Sequence, residues 1–384
     1  MSVTAAAGFR ATGVTAGLKP SGRPDVALLV NDGPDHHGAA VFTTNRVEAA
    51  PVTWSRQVVT DGRIDAVILN SGGANACTGP EGLGDTHRTA EHVAERLGIS
   101  AGDVVVCSTG IIGERLPMDL LLSGADSAAG SLATDGGAQA AEAIMTTDTR
   151  PKEATRSSAD GWSVGGMAKG AGMLAPALAT MLVVLTTDAV TTPDDLDAAL
   201  RAACTATFDR VDSDACMSTN DTVVLLASGA SGVRAPREEL TALVHDVCAD
   251  LARQLIGDAE GAQHDIEVEV VGAVSEDDAV EVARAIARSA LFKCAVFGGD
   301  PNWGRIVSAV GTTSAEFDPR ALDVAVNGVQ VCRATGVGED RSLVDLSGRH
   351  VHVVVDLNAG AQRGTVWTND LTHDYVHENS AYST

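Results

Sequence analysis

The chain has 384 residues, 45% hydrophobic but only 3% aromatic, and a formal net charge of −24. Its length exceeds one average domain, so about two or three packed units are expected, and a body rich in Ala, Val and Gly suits an α/β or α+β fold with closely approaching backbones. No run of Lys or Arg interrupts the acidity, which excludes a polyanion such as nucleic acid as a natural partner, yet salt screening leaves a local basic residue free to bind a small carboxylate.

In chain order, Val26 to Val30, Ala66 to Leu69 and Val104 to Val106 are short β-rich runs, each before a polar or glycine-bearing loop, and are predicted as buried strands. Between them, Thr86 to Leu97 carries Ala90, Val93 and Leu97 at helical spacing and stops before Gly98. Met181 to Leu185 is a brief β-branched apolar run, again a buried strand. Thr192, Pro193 and Asp195 form a capped helix start, followed by Leu196, Ala199, Leu200 and Ala203. Glu238 to Leu255 is a second amphipathic helix, with Leu240, Leu243, Val244, Val247, Leu251 and Leu255 on one stripe. Alternation at Ile266, Val268 and Val270 predicts a strand, and Ser275 with Asp278 caps a third helix. Val324 and Val326, an Asn327-Gly328 turn and Val329 predict a hairpin, and Val351 to Leu357 a last strand.

No repeat or long linker divides the chain, and changes of pattern suggest three parts: 1–190, 191–285 and a smaller C-terminal lobe over 286–384. The seven cysteines are odd in number, dispersed and never in a CxxC pair, which argues against a disulfide framework or zinc cluster and for a reducing cytoplasm. The start MSVTAAAGFR lacks a basic head followed by an apolar stretch, and no apolar run approaches membrane-spanning length, so neither export nor a membrane is expected.

Chemistry concentrates in Gly165 to Asp188, GGMAKGAGMLAPALATMLVVLTTD: a glycine-rich loop, one lysine, a small-residue connector, and a threonine opening an apolar strand. A threonine there can attack the preceding carbonyl if the Ala179-Thr180 peptide is held strained near oxyanion donors. Cleavage frees an α-amine beside the same residue's hydroxyl, and that amine can act as its general base. Spacing alone leaves a second reading open, in which Thr180 is an ordinary strand residue and the glycines only make a turn. A phosphate cradle has no support, since neither GxxxxGK[ST] nor GxGxxG occurs around Lys169.

KGAGM at 169–173 and LAPALATML at 174–182 resemble the self-processing segment of the ornithine acetyltransferases, glutamate N-acetyltransferases of arginine biosynthesis. The resemblance runs through nearly the whole chain: NSGGANACTG at 70–79, CSTGIIG at 107–113, AIMTTD at 143–148, STNDT at 218–222, DAEG at 258–261, DPNWGR at 300–305 and ENSAYST at 378–384. It implies a layered α+β sandwich of N-terminal-nucleophile-like type. It also implies cleavage between Ala179 and Thr180 into an α chain, 1–179, and a β chain, 180–384, that assemble as two of each. Thr180 would carry the acetyl group between N2-acetylornithine and glutamate, with Thr109 and Gly110 as the oxyanion-hole pair. Thr146, Lys169, Thr180, Glu260, Asn379 and Thr384 match substrate-binding positions. A lysine ammonium suits an α-carboxylate, and the Glu260 carboxylate suits the distal ammonium of ornithine. No cofactor is implied. Some family members also accept acetyl-CoA, for which no separate motif is visible here.

His373 and His377 have HxxxH spacing, but no third ligand cluster accompanies them, and acetyl transfer needs no Lewis acid, so no metal is expected. Two other functions compete with the transferase: an N-terminal-threonine amidohydrolase or aminopeptidase with water as acceptor, and a non-enzymatic protein that binds a small ligand.

Overall fold

The computed structural model describes residues 2–174 and 181–381. The first part of the chain runs β1 (Phe9–Val14), β2 (Val26–Asn31), β3 (His37–Phe42), α1 (Ala50–Val58), β4 (Ala66–Asn70), α2 (Gly79–Leu97), β5 (Val104–Ser108), α3 (Met118–Gly130), α4 (Gly137–Ala143), β6 (Lys152–Ser157) and β7 (Ser163–Lys169). It continues with β8 (Leu182–Thr187), α5 (Pro193–Ala206), β9 (Thr222–Ala227) and α6 (Arg237–Ile256). The last part holds β10 (Asp265–Ala273), α7 (Glu276–Ala287), α8 (Ala290–Phe297), α9 (Trp303–Val310), β11 (Asp323–Val326), β12 (Val329–Arg333), β13 (Gly336–Val337), β14 (His350–Asp356), β15 (Gln362–Asn369) and α10 (His373–Ala381).

Two sheets stack face to face, one in the order β1-β2-β4-β5 and the other β3-β9-β8-β7-β6. Because side chains alternate along a strand, β2 sends Ala27 and Leu29 into the core between the sheets and Val26, Leu28 and Val30 against α2 and α3. In the other sheet, β8 sends Leu182 and Val184 inward and Val183 and Leu185 against α5 and α6. The result is helices, sheet, sheet, helices. Strands covered on both faces read as continuous apolar runs, which is why β2, β4, β5 and β8 are visible in the sequence. A third sheet, β13-β12-β11-β14-β10-β15, packs α7, α8 and α9 over its own core and forms the remaining lobe. The protein is thus a layered α+β molecule.

Local chemistry explains the predicted helices. Thr192 Oγ1 accepts the Asp195 N–H at 3.2 Å ahead of α5, and Ser275 Oγ accepts the Asp278 N–H at 3.1 Å ahead of α7. The hairpin turn places Asn327 and Gly328 at φ +46° and +83°, as its two-residue connection requires. Helix α2 starts at Gly79, earlier than the Thr86 expected from apolar spacing. Its first turns are polar and glycine-rich, and they are held instead by the Asn75 amide, which donates to Gly82 O at 2.9 Å and Thr86 Oγ1 at 3.0 Å. Among the described residues no helix is long and apolar enough to cross a membrane.

Candidate active site

Several sequence motifs meet at the edge of the stacked sheets. Thr109 follows the end of β5, and Lys169 is the last residue of β7, where it pairs in register with Leu182 of β8. The Asn220 side chain donates to Ala74 O at 2.6 Å and to Ser108 O at 2.9 Å, tying both glycine-bearing loops to the start of β9. The STNDT, NSGGANACTG and CSTGIIG segments are therefore one hydrogen-bonded unit. Gly110 sits at φ +133°, and a Cβ there would stand 2.8 Å from the Gly73 backbone, so only glycine fits.

A cavity of about 240 Å³ opens beside this unit, lined by Thr109, Gly110, Thr146, Lys169, Glu260 and Asn379, and also by Thr147, Gly172, Met173, Asp214, Cys216 and Tyr375. Six of the residues singled out in the sequence thus share one wall-to-wall site. Ala179, Thr180 and Thr384 lie outside the described residues; the described chain resumes at Met181, whose N–H donates to Asp221 Oδ1 at 3.0 Å.

The electrostatics favour donors facing the cavity. Lys169 is buried, and its Nζ donates to Thr109 Oγ1 at 3.3 Å. An ammonium can only donate, so the Thr109 hydroxyl accepts from it and keeps its own proton to offer elsewhere. The Gly110 N–H meets no acceptor among the described residues. A hydroxyl and an N–H in this state can receive an oxygen that gains negative charge. Burial lowers the Lys169 ammonium below the usual lysine range, with Asp148 opposing that shift. Burial alone would raise Asp148, but Lys169 and Lys152 hold its carboxyl down at about 2.

Lys152 was not foreseen from the sequence. Fully buried in β6, its Nζ lies 2.6 Å from Asp148 Oδ1 and 2.5 Å from Asp258 Oδ2. The acids of MTTD and DAEG are thereby structural partners that fix their neighbours, Thr146 and Glu260, on the cavity wall. Asp148 also accepts the Thr146 N–H at 2.9 Å and the Gly170 N–H at 2.7 Å. Glu260 is held by its own N–H to Ala171 O at 3.1 Å and by the Asn379 amide, which donates to Oε2 at 2.9 Å.

Helix α10 brings Tyr375 and Asn379, four residues apart, onto one face above the cavity. Gly261, at φ +64°, allows the close approach: a Cβ there would meet Tyr375 N at 2.2 Å. His373 and His377 share this helix, and among the described residues no group of three or more His, Cys, Asp or Glu could hold a metal ion. Asp214, Asp221 and Tyr375 are further site residues that the sequence reading missed. Asp214 and Tyr375 belong to no periodic pattern, whereas Asp221 lies inside the STNDT segment.

A layered α+β body carrying free donors, a buried ammonium and carboxylates around a small cavity supplies the groups that an acyltransferase requires. The ArgJ family model matches residues 10–384. The chain is 64% identical over 383 residues to the arginine biosynthesis bifunctional protein ArgJ of Streptomyces avermitilis, covering 100% of both chains. It is 63% identical over 383 residues to the protein of the same name from Streptomyces coelicolor, again covering 100% of both. Among solved structures, the ornithine acetyltransferase of Mycobacterium tuberculosis complexed with ornithine is 56% identical, covering 47% of this chain and 96% of that one with a TM-score of 0.46. The chain belongs to the ArgJ family.

Proposed function

We propose that the protein is a glutamate N-acetyltransferase that cuts itself between Ala179 and Thr180 and moves acetyl from N2-acetylornithine to glutamate through an acetyl-threonine. The observation that carries this reading is the single cavity that gathers Thr109, Gly110, Thr146, Lys169, Glu260 and Asn379 beside the strand that follows residue 180. In it, the freed Thr180 amine takes the proton from the Thr180 hydroxyl as the oxygen attacks the acetyl carbonyl. Negative charge on the carbonyl oxygen is met by the Thr109 O–H and the Gly110 N–H. The amide bond then breaks, ornithine leaves as its nitrogen takes a proton, and the glutamate amine attacks the acyl-threonine in the same pocket. One amide is exchanged for a similar one, so no external energy donor is needed.

Water is the competing acceptor, and the transferase reading requires glutamate to be held close enough to outrun it. The two fragments remain together and pair as two of each. The test is a denaturing gel combined with a turnover assay. Wild type gives two polypeptides and glutamate-dependent loss of acetylornithine, while Thr180→Ala gives one polypeptide and no turnover. Loss of acetylornithine that ignores glutamate would make the enzyme an amidohydrolase instead.

A further inference from the structure

Asp214 lines the cavity, yet the acyl-transfer chemistry above makes no use of it. Its surroundings are built to hold it there. Met173 N–H donates to Oδ2 at 2.7 Å, and Cys216 N–H donates to Oδ1 at 3.2 Å. Met173 and the adjoining Ala215 sit at φ +52° and +58°, a left-handed backbone that non-glycine residues seldom adopt. Such conformations persist where the surrounding structure demands a fixed position.

The charges lining the cavity are unevenly placed. Lys169 is its only Lys or Arg among the described residues and lies beside Thr109. Two carboxylates share the wall: Glu260, close enough to Lys169 to favour its ammonium, and Asp214; the Tyr375 phenol feels both, being pushed up to about 12 by burial and by these two acids. One Glu260 oxygen is already engaged by Asn379. Each Asp214 oxygen accepts one backbone N–H and keeps a further lone pair, because a carboxylate has about four acceptor sites.

We propose that Asp214 determines specificity for the distal end of the amino-acid substrates, its carboxylate receiving the side-chain ammonium of the acetyl donor. The proposal rests on the acetyl-transfer reading above. With the donor's α-carboxylate drawn to Lys169, an extended side chain carries its ammonium toward the acidic part of the wall, where a charge-assisted hydrogen bond awaits it. The acceptor brings a carboxylate on a similar chain, and a carboxylate is received at residue 214 when that side chain carries a proton. Burial raises the Asp214 carboxyl to about 6, against the lowering effect of the Cys216 and Met173 N–H donors and of Lys293. Both protonation states are therefore accessible near neutrality. The charged and titratable groups around it are Lys293 from α8, Asp212 and Cys216 from its own loop, and Tyr375 from α10.

The experiment compares acetyl uptake from N2-acetylornithine and from N2-acetylnorleucine, which has a methyl group in place of the ammonium. The readout is the ratio of kcat/KM values for acetylation, with the acetyl adduct followed by intact mass. Asp214→Asn is expected to lower the ornithine preference about 10- to 100-fold, the range for losing a hydrogen bond to a charged group. In wild type the same ratio is expected to rise with pH through the window around 6 as the carboxyl ionises. This profile needs no variant and decides the matter if Asp214→Asn fails to fold. A ratio within about twofold of wild type in the variant, or a flat wild-type profile, overturns the assignment. If wild type takes up acetyl from neither donor, the transferase reading itself fails, an outcome separated from the others by the missing adduct, and the assignment falls with it.

Discussion

Thr109, Gly110 and Lys169 stand at the ends of sheet strands, with Thr109 and Lys169 buried, whereas Asp214, Glu260, Tyr375 and Asn379 come from loops and the C-terminal helix and are partly or fully exposed. The inner wall is tied together by backbone register and by Asn220, which bridges two loops at once. The outer wall is assembled from pieces far apart in the chain, with Asp214 held by two backbone N–H donors and Asn379 reaching Glu260 through its amide. On the proposed reaction, the groups that would meet a developing charge sit at strand ends of the sheets, and the groups that would contact the two amino acids come from loops and the C-terminal helix.

That contrast can be broken most sharply beneath both walls, at Lys152. Lys152→Ala leaves the buried Asp258 carboxylate without Lys152 and leaves Asp148 facing Lys169 alone of the two, and stability is expected to fall by about 3–5 kcal/mol in denaturant titration. A loss below about 1 kcal/mol would mean that the network does not hold the walls together. On the inner wall, Thr109→Val removes the hydroxyl that Lys169 orients. It is expected to lower kcat about 100- to 1000-fold with much less change in KM, and Thr109→Ser is expected to restore most of it. An effect confined to KM would place Thr109 in substrate binding instead.

On the outer wall, Asn379→Ala removes one exposed hydrogen bond to Glu260 and is expected to raise KM about threefold while leaving kcat nearly intact. A larger fall in kcat than rise in KM would erase the distinction between the walls. The smallest effect is one of pH. The Asp148 carboxyl is held at about 2, below its ordinary 3.8. Its contribution to stability is therefore complete above about 3.8 and is lost as pH falls through about 2. Lys152→Ala should shrink this acid-side slope in a pH series of denaturant midpoints, and an unchanged slope would assign it to other carboxylates.

How much of this was legible in the sequence follows from what each element packs against. Strands β2, β4, β5 and β8 bury both faces and read as apolar runs, and α5 and α7 carry their caps in adjacent residues. Strand β6 gives no apolar run because its buried residues are Lys152 and Ala154, and the lysine is buried only by pairing with Asp148 and with Asp258, the second 106 positions away. Helix α2 was found but entered late, since its first turns are stabilised by Asn75 from the preceding loop. In the site, the glycine-bearing motifs and the lone lysine announced themselves by composition. Asp214 did not, because its place depends on left-handed backbone at Met173 and Ala215, residue types that give no hint of it.

Where the acetyl group rests between donor and acceptor is read directly by intact-mass spectrometry after brief exposure to N2-acetylornithine without glutamate. The expected result is two fragments, with the one beginning at Thr180 heavier by a single acetyl group that disappears when glutamate is added. An uncut chain that turns over at the wild-type rate, or turnover with no acetyl on that fragment, would contradict it.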